Sequence, residues 1–249
     1  MNLDRVIAVR NSKTVYRDGD RCIKVFNAEY SKADVLNEAL NQARIEETGL
    51  HIPKILEVGM IDGKWAISSE YINGKTLAQL MLENPEKKAE YVELLVDLQM
   101  TVHSKSCPLL NGLKDKMSRM IAKTELDATT RYDLHTRLES MPKHKKVCHG
   151  DFNPSNVIIS ESGVPYVIDW AHATQGNASA DVARTYLLFW LNGDISGAEI
   201  YLETFCKKSG TDKRYVRQWM PFVAAAQSIK GNEKEREFLM SWFDELNHQ

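Results

Sequence analysis

Four polar residues in the middle of the chain have the types and the spacing that phosphoryl transfer requires. His149, Asp151 and Asn156 lie in a turn-rich stretch between two short strand patterns, and Asp169 ends the next strand pattern. A hairpin over 157–168 would bring Asn156 and Asp169 side by side, and their amide and carboxylate oxygens suit Mg²⁺. Asp151 would then face a substrate hydroxyl, orient it and accept its proton while the metal bridges the phosphates.

The same segment resembles the catalytic loop and the metal-binding motif of the aminoglycoside phosphotransferase and choline kinase-like family. A His-Gly-Asp triplet at 149–151 is followed by four residues, then by Asn156 and, after the hairpin, by Asp169. Members of this family are small-molecule kinases with a protein-kinase-like fold, and four residues is the spacing in the kinase catalytic loop. The resemblance implies Asp151 as catalytic base, Asn156 and Asp169 as Mg²⁺ ligands, and His149 as a structural support of the loop.

A kinase also needs a strand lysine that holds the α- and β-phosphates of the nucleotide, and Lys24 is placed for this role. It lies in the strand pattern Cys-Ile-Lys-Val-Phe at 22–26. Alternation along the strand puts Cys22 and Lys24 on one face and Ile23 and Val25 on the other. Lys24 would then face the nucleotide, with Cys22 beside the adenine.

The lysine requires a glutamate partner on the first helix, and Glu38 is the best-placed candidate. Ser31 and Asp34 resemble a capping box at the start of this helix. Glu38 borders an apolar stripe that recurs at helical spacing. The members of this stripe are Val35, Leu36, Ala39, Leu40 and Ala43. Glu46 and Glu47 are weaker alternatives as partners of the lysine, because they lie near the end of the helix.

The nucleotide base needs backbone N–H and C=O groups that bond its edge, and the segment 70–77 is the candidate hinge. It joins the last strand of the N-terminal part to the next helix, and it resembles the hinge of the family. Glu70, Tyr71 and Ile72 are the predicted nucleotide-binding residues here, the latter two through the main chain. A plain linker between two lobes is the alternative, and the two interpretations are compatible.

A glycine-rich phosphate cover, which protein kinases carry in their first hairpin, is missing, since residues 10–14 hold no glycine. The small-molecule branch of the family often lacks that pattern, so the resemblance survives. Ser12 and local backbone N–H groups would donate to the β- and γ-phosphates, and Arg10 or Lys13 would add charge. A polar hairpin tip is the alternative for these residues.

Asp181 opens a helical pattern after the motif, where the family has an aspartate that braces the catalytic loop. We interpret it as structural support, with a favourable charge near the helix N-terminus. Farther along the chain, four aromatic residues would either box a quaternary ammonium group or belong to the core. They are Tyr215, Trp219, Phe222 and Trp242. The sequence therefore leaves the acceptor undetermined.

The order of the elements predicts an α+β, protein-kinase-like fold with two lobes. Strand patterns and one helix fill residues 1–72, a small antiparallel lobe that would bind the nucleotide. Residues 73–249 form a larger, mainly helical lobe, interrupted by short strands at 146–148, 157–160 and 166–168. This second lobe would carry the catalytic base and the acceptor site.

The composition is that of an ordinary globular protein and excludes several classes. The chain has 249 residues, and its 32 Lys+Arg nearly cancel 34 Asp+Glu. The net charge of −2 argues against nucleic-acid binding and gives no support for a strongly cationic acceptor. We expect a cytoplasmic protein without a membrane partner, because the apolar runs are short, a secretory pattern is missing and the four cysteines are scattered.

The resulting prediction is a kinase that uses ATP, or GTP, with Mg²⁺ to phosphorylate a hydroxyl of a small molecule. A protein kinase is disfavoured, because Asp-Trp-Ala stands at 169–171 in place of Asp-Phe-Gly and no long activation segment follows. A catalytically silent nucleotide-binding module would not need Lys24 and Asp151 together with both metal ligands. A metal-dependent hydrolase using His149 and Asp151 would need further ligands, and the other histidines show no ligand spacing.

Overall fold

The computed structural model describes Leu3, residues 5–230 and residues 232–244. The strands within these residues are β1 (Arg5–Val9), β2 (Lys13–Asp18), β3 (Arg21–Phe26), β4 (Ile55–Ile61), β5 (Lys64–Glu70), β6 (Gly74–Thr76), β7 (Lys146–Cys148), β8 (Val157–Ser160), β9 (Pro165–Val167) and β10 (Thr174–Gly176). The helices are α1 (Lys32–Glu46), α2 (Leu77–Glu83), α3 (Lys88–His103), α4 (Leu113–Ile121), α5 (Ala128–Ser140), α6 (Ala178–Leu191), α7 (Ile195–Ser209), α8 (Lys213–Arg217), α9 (Met220–Ser228) and α10 (Glu233–Asp244).

The chain divides into two compact units, and each contains some of the residues that the sequence singles out. The first unit runs to Glu83 and takes in Pro154–Ala173, while the second comprises Asn84–Asn153 and the residues from Thr174 onward. The functional division into domains 1–72 and 73–249 stays a prediction. The compact units differ from it because the strands of the metal motif, β8 and β9, pair with β6 inside the first unit.

An antiparallel sheet in the order β1-β2-β3-β5-β4 is the main element of the first unit. Strands β2 and β3 form one hairpin and β4 and β5 form another, as a small antiparallel lobe requires, and the second hairpin turns at Asp62 and Gly63. Strand β1 was not predicted, because its apolar residues do not alternate between buried and exposed positions. At this edge of the sheet Val6 and Val9 are 53% and 67% exposed.

Helix α1 begins as predicted, but the apolar stripe assigned to it is wrong in part. Leu36 and Leu40 are 43% and 48% exposed, and Ala43 is also exposed. Buried positions are shared by apolar and polar residues: Val35, Glu38, Ala39, Asn41, Gln42 and Ile45. Each of these polar residues has at least one hydrogen-bond partner. The side chain of Gln42, for example, donates to the carbonyl of Pro53 at 2.6 Å.

A second sheet of the first unit contains the hairpin predicted for the metal motif. Strand β8 pairs with β9 on one side and with β6 on the other, both antiparallel. Position 74 requires glycine, because a Cβ on Gly74 would stand 2.1 Å from the carbonyl oxygen of Ile159. Thr76 caps α2, since the N–H of Gln79 donates to Thr76 Oγ1 at 3.1 Å.

Helices make up most of the second unit. Helix α6 packs with α7 and α9, α3 packs with α7, and α9 also packs with α4 and α10. Fully buried apolar side chains fill the interior of this unit, among them Leu95, Leu187, Tyr201 and Trp219. Strands β7 and β10 form a two-stranded antiparallel ladder just before the His-Gly-Asp triplet. Of the helices described, none has the length and apolar composition needed to cross a membrane.

Candidate active site

The first unit brings together three of the residues that the sequence singles out. Lys24 on β3 places its Nζ 2.6 Å from Glu38 Oε1 and 3.1 Å from Asp169 Oδ1. The Glu38 side chain is only 3% exposed, so α1 presents it to the lysine inside the unit. The alternative partner Glu46 is used elsewhere, since it accepts from the N–H of Ile55 at 2.7 Å. A lysine held in this way is positioned to meet the phosphates of a nucleotide.

A second lysine joins this cluster. From the sequence, this lysine was expected only to add charge near the phosphates. Lys13, at the start of β2, has its Nζ 3.2 Å from Glu38 Oε1 and 3.2 Å from Asp169 Oδ1. The position of this lysine could have been predicted from the pairing register of the β2–β3 hairpin. Lys13 pairs with Phe26, which lies on the same face of β3 as Lys24. Two ammonium groups and two carboxylates therefore form one network.

The opposite charges of this network keep one another ionised. Burial opposes the charge of Lys24, but Asp169 and Glu38 raise the pKa of this lysine above its ordinary value. Burial also opposes ionisation of Asp169, yet Lys24 and Lys13 hold the pKa of that carboxyl well below its ordinary value. Asp169 has a φ of 65°, a left-handed conformation that aspartate and asparagine adopt more readily than most residues.

The hairpin of β8 and β9 joins the two candidate metal ligands. The N–H of Ile168 donates to the carbonyl of Asn156 at 2.9 Å, which puts Asn156 and Asp169 at the open end of the hairpin. Their side chains offer an amide and a carboxylate oxygen, the hard donors that Mg²⁺ prefers. No group of three His, Cys, Asp or Glu residues in the described chain could hold a metal alone. Phosphate oxygens and water would therefore complete the coordination of an ion here.

The predicted residues for the phosphate cover and the adenine lie in the same unit. Cys22 is half-buried on the face of β3 that carries Lys24, and burial raises the pKa of its thiol. The thiol is thus neutral and suited to an apolar contact. Ser12 lies in the turn between β1 and β2, where its carbonyl accepts from the N–H of Asn27 at 2.8 Å.

The candidate hinge has bonds of its own in this structure. The Glu70 carboxylate accepts from the N–H of Lys54 at 3.0 Å. The N–H of Tyr71 donates to the carbonyl of Asp20 at 2.8 Å and so extends the ladder between β3 and β5. If the N–H of Tyr71 donated to a nucleotide base, its bond to the carbonyl of Asp20 would have to break. Ile72 is half-buried beside them.

A buried aspartate holds the catalytic-loop segment of the second unit. Asp181, in the first turn of α6, accepts from the N–H groups of Gly150 at 2.7 Å and His149 at 3.2 Å. The same carboxylate lies 2.9 Å from His103 Nε2 and 3.1 Å from the side-chain nitrogen of Gln99. These four partners connect the loop to α3 and α6. This is the geometry that a structural support of the loop requires.

Asp181 predicts a specific loss of stability in acid. Burial alone would raise its pKa, but the bonds from His103, Gln99 and the loop lower it to about 2. This carboxylate makes its full contribution to the free energy of unfolding at pH values above about 4, the pKa of an aspartate in the unfolded chain. The contribution is lost as the pH falls toward 2. The wild type should therefore lose about 2–3 kcal/mol more of its free energy of unfolding than Asp181→Asn between about pH 5 and about pH 2.

Denaturant titrations at a series of pH values test this prediction. Asp133→Asn serves as the matched control, because Asp133 is exposed on α5. The control should follow the wild-type profile, whereas the profile of Asp181→Asn should be flatter over this range. Parallel profiles for all three proteins would show that the carboxylate of Asp181 does not brace the loop.

Asp151, the predicted catalytic base, is held by its backbone and leaves its carboxylate accessible. Its N–H donates to the buried Nδ1 of His149 at 3.2 Å, while its side chain remains 30% exposed. Asn153 Nδ2 lies 3.4 Å and Arg184 Nη2 lies 3.9 Å from the carboxylate. Arg184 was not predicted from the sequence as a residue of the site. Its signal is helical spacing, because a residue three positions after Asp181 lies on the same side of α6.

Three of the four aromatic residues that would box a quaternary ammonium group belong to the core instead. Trp219, Phe222 and Trp242 are 0%, 2% and 9% exposed. The hydroxyl of Tyr215 accepts from the side chain of Asn177 at 2.6 Å. The core interpretation is therefore confirmed for the two tryptophans and the phenylalanine, and no argument for a choline-like acceptor follows from them.

Comparisons with known proteins agree on one family and one fold. A family model described as the phosphotransferase enzyme family matches residues 5–219. A thermostable mutant of the aminoglycoside phosphotransferase APH(4)-Ia, solved as a ternary complex with AMP-PNP and hygromycin B, is similar with a TM-score of 0.71 at 18% identity, covering 96% of this chain and 91% of that one. No curated protein sequence gives a significant match.

Two further solved structures are choline kinase relatives. Choline kinase LicA from Streptococcus pneumoniae has a TM-score of 0.64 at 14% identity, covering 98% of this chain and 94% of that one. A choline/ethanolamine kinase family protein from Mesorhizobium loti has a TM-score of 0.63 at 15% identity, covering 98% and 85%. At these identities the likeness shows the fold alone. The predicted α+β, protein-kinase-like fold is confirmed.

Proposed function

The chain belongs to the phosphotransferase enzyme family, and we propose that it transfers the γ-phosphoryl group of ATP to a hydroxyl of a small molecule. One observation carries this proposal: Lys24 Nζ lies 2.6 Å from Glu38 and 3.1 Å from Asp169, in the unit that also holds Asn156. A paired strand lysine and a carboxylate–amide metal site are the two parts that hold a nucleoside triphosphate.

Asp151 is the proposed catalytic base. As the acceptor oxygen bonds to the γ-phosphorus, the carboxylate of Asp151 takes the proton of the acceptor hydroxyl. The bond from the γ-phosphorus to the bridging oxygen breaks, and ADP leaves with that electron pair. His149 and Asp181 act as positioning residues, because they bond to the backbone of the loop. The gain in rate comes mainly from position and charge.

Four residues of the first unit are proposed to hold the nucleotide phosphates and the metal. Asn156 and Asp169 would hold Mg²⁺, which when bound offsets the charge on the phosphates. Lys24 and Lys13 would bind phosphate oxygens, which compete with the carboxylates that the two ammonium groups now contact. A second lysine thus supplies charge where a glycine-rich cover is missing. Cys22, Ser12 and the hinge at 70–72 remain proposed contacts of the nucleotide.

The experiment that tests this function is a coupled ADP-release assay with Mg²⁺ and either ATP or GTP. The acceptor panel includes aminoglycosides, choline, ethanolamine, homoserine, sugars and nucleosides. Lys24→Met should lower kcat/KM for the nucleotide by about a hundredfold, because a charge that faces phosphate is lost. The variant should still fold, since Lys13 remains in contact with both Glu38 and Asp169.

Lys64→Met is the matched control, because Lys64 begins β5 with its side chain exposed. It should retain the wild-type kinetics. Binding of Mg-ATP without turnover of any acceptor would instead support a silent nucleotide-binding module. If calorimetry detects no binding of Mg-ATP or Mg-GTP to the wild type, the proposed function is wrong.

A further inference from the structure

Three cationic side chains of the second unit interact electrostatically with the carboxylate of Asp151. Arg184 of α6 has its Nη2 3.9 Å from Asp151 Oδ1, and its side chain is only 13% exposed. Lys116 of α4 and Lys230, just after α9, are close enough that the charges of both Asp151 and Arg184 influence them. The helices that carry these residues pack through α9, so the cations belong to one part of the unit.

The guanidinium of Arg184 is fixed in place without being bonded to Asp151. Its Nη1 donates to Gln227 Oε1 at 2.7 Å, and Gln227 in turn donates to Glu235 at 2.7 Å. The 3.9 Å to Asp151 exceeds the distance of a hydrogen bond. Arg184 is therefore a pre-positioned cation beside the proposed base, with a fork geometry that suits a carboxylate or a phosphate.

Three carboxylates, those of Asp151, Asp181 and Glu235, act on these cations without restoring the ordinary pKa of any of them. Burial and the charge of Arg184 lower the pKa of Lys116 to about 8, although Asp181 and Asp151 act in the opposite direction. Burial lowers the pKa of Arg184 itself, while partial desolvation and the charge of Arg184 lower that of Lys230, which stays exposed at the surface. Asp181 is already occupied by the catalytic loop. An anion placed among the three cations would favour their charged forms.

The reaction itself would create an excess of positive charge among these groups. When Asp151 takes the proton of the acceptor, its carboxylate becomes neutral, and the cation beside it at 3.9 Å loses a partner. A second negative group on the acceptor would compensate for this change. A cationic acceptor would instead be repelled by all three side chains.

We propose that the acceptor is a small hydroxylated anion, whose carboxylate or phosphate group binds Arg184, Lys116 and Lys230 while Asp151 receives the hydroxyl. This inference rests on the proposed function, because it assigns the acceptor of the same reaction. It sets the chain apart from the proteins with a similar fold that bind hygromycin B or are named for choline.

Matched acceptors that share one carbon frame test the charge preference. Glycerol is the neutral compound, glycerate supplies the carboxylate, and glycerol phosphate supplies the phosphate; kanamycin and choline are the cationic compounds. In the ADP-release assay at least one of the two anions should give a kcat/KM about tenfold or more above glycerol. A preference for glycerol, kanamycin or choline would overturn the proposal.

Two single substitutions test whether the anionic group of the acceptor binds at the proposed cations. Lys116→Met and Lys230→Met should each raise the KM of the preferred anion about tenfold and leave the KM of ATP unchanged. Lys123→Met and Lys234→Met are the matched controls, because both lysines are exposed nearby in the sequence. A rise in the KM of ATP instead would assign the cations to the nucleotide and overturn the proposal.

A binding measurement decides the case in which no compound of the panel is phosphorylated. With Mg-AMP-PNP saturating the nucleotide site, inorganic phosphate should bind the wild type in calorimetry and bind Lys116→Met and Lys230→Met about tenfold more weakly. Equal affinity, or no binding to the wild type, would contradict an anion site. If Mg-AMP-PNP itself fails to bind, the proposed function fails rather than this inference alone.

Discussion

Asp151→Asn is expected to lose about a thousandfold in kcat while its affinity for Mg-ATP stays within about twofold of the wild type. An asparagine amide cannot accept the proton of the acceptor hydroxyl. The substitution leaves the loop in place, because the bond to His149 comes from the backbone N–H of residue 151. The effect should therefore appear in turnover and not in nucleotide binding.

Steady-state ADP release and calorimetry with Mg-ATP measure the two halves of this expectation. Asp133→Asn is the matched control, since it makes the same chemical change at an exposed position of the same unit. The control should keep the wild-type kcat. If Asp151→Asn kept the wild-type kcat, Asp151 would not be the catalytic base. If the variant lost affinity for Mg-ATP as well as kcat, Asp151 would contribute to nucleotide binding instead.

Asp169→Asn is expected to abolish most of the effect of Mg²⁺ on nucleotide affinity. Loss of residues that only support a metal ligand already costs about 10–100-fold in affinity, so loss of the ligand carboxylate should cost about a hundredfold or more. Asparagine tolerates the left-handed backbone at this position, where φ is 65°. The variant thus tests the charge of the side chain with little added strain.

Calorimetric titration of ATP with and without Mg²⁺ distinguishes the contribution of the metal to nucleotide affinity from that of the other contacts. Without the metal, the affinity of Asp169→Asn for ATP should not fall, because a negative charge near the phosphates has been removed. Asp62→Asn is the matched control, since Asp62 also has a positive φ, 49°, but lies in an exposed turn. An unchanged Mg²⁺ effect in Asp169→Asn would exclude this carboxylate as a ligand.

Local sequence patterns predicted most of the elements that position the site. The hairpin over 157–168, the strand with Lys24 and the cap at Ser31 each depend on residues close together in the chain, and each is found in the structure. The contact between Lys24 and Glu38 could be anticipated because a known resemblance supplied the long-range pairing. Spacing alone would not have chosen Glu38 over Glu46.

Other features depend on packing between distant segments and could not be read from spacing. The polar residues on the buried face of α1 replace the expected apolar stripe because their partners, such as the carbonyl of Pro53, come from other parts of the chain. Lys13 reaches Asp169 across 156 positions of sequence. The three cations near Asp151 lie on α4, on α6 and after α9, and only the folded unit brings them together.

The most direct test of the account is to follow the γ-phosphoryl group itself. Wild-type protein is incubated with Mg²⁺, ATP radiolabelled at the γ-phosphate and the acceptor panel, and the products are separated by chromatography. We predict a labelled phosphate ester of a hydroxylated small molecule, absent without Mg²⁺ and absent with Asp151→Asn. Label that stays in ATP, or that appears only as inorganic phosphate with every acceptor, would contradict the proposed transfer to a small-molecule hydroxyl.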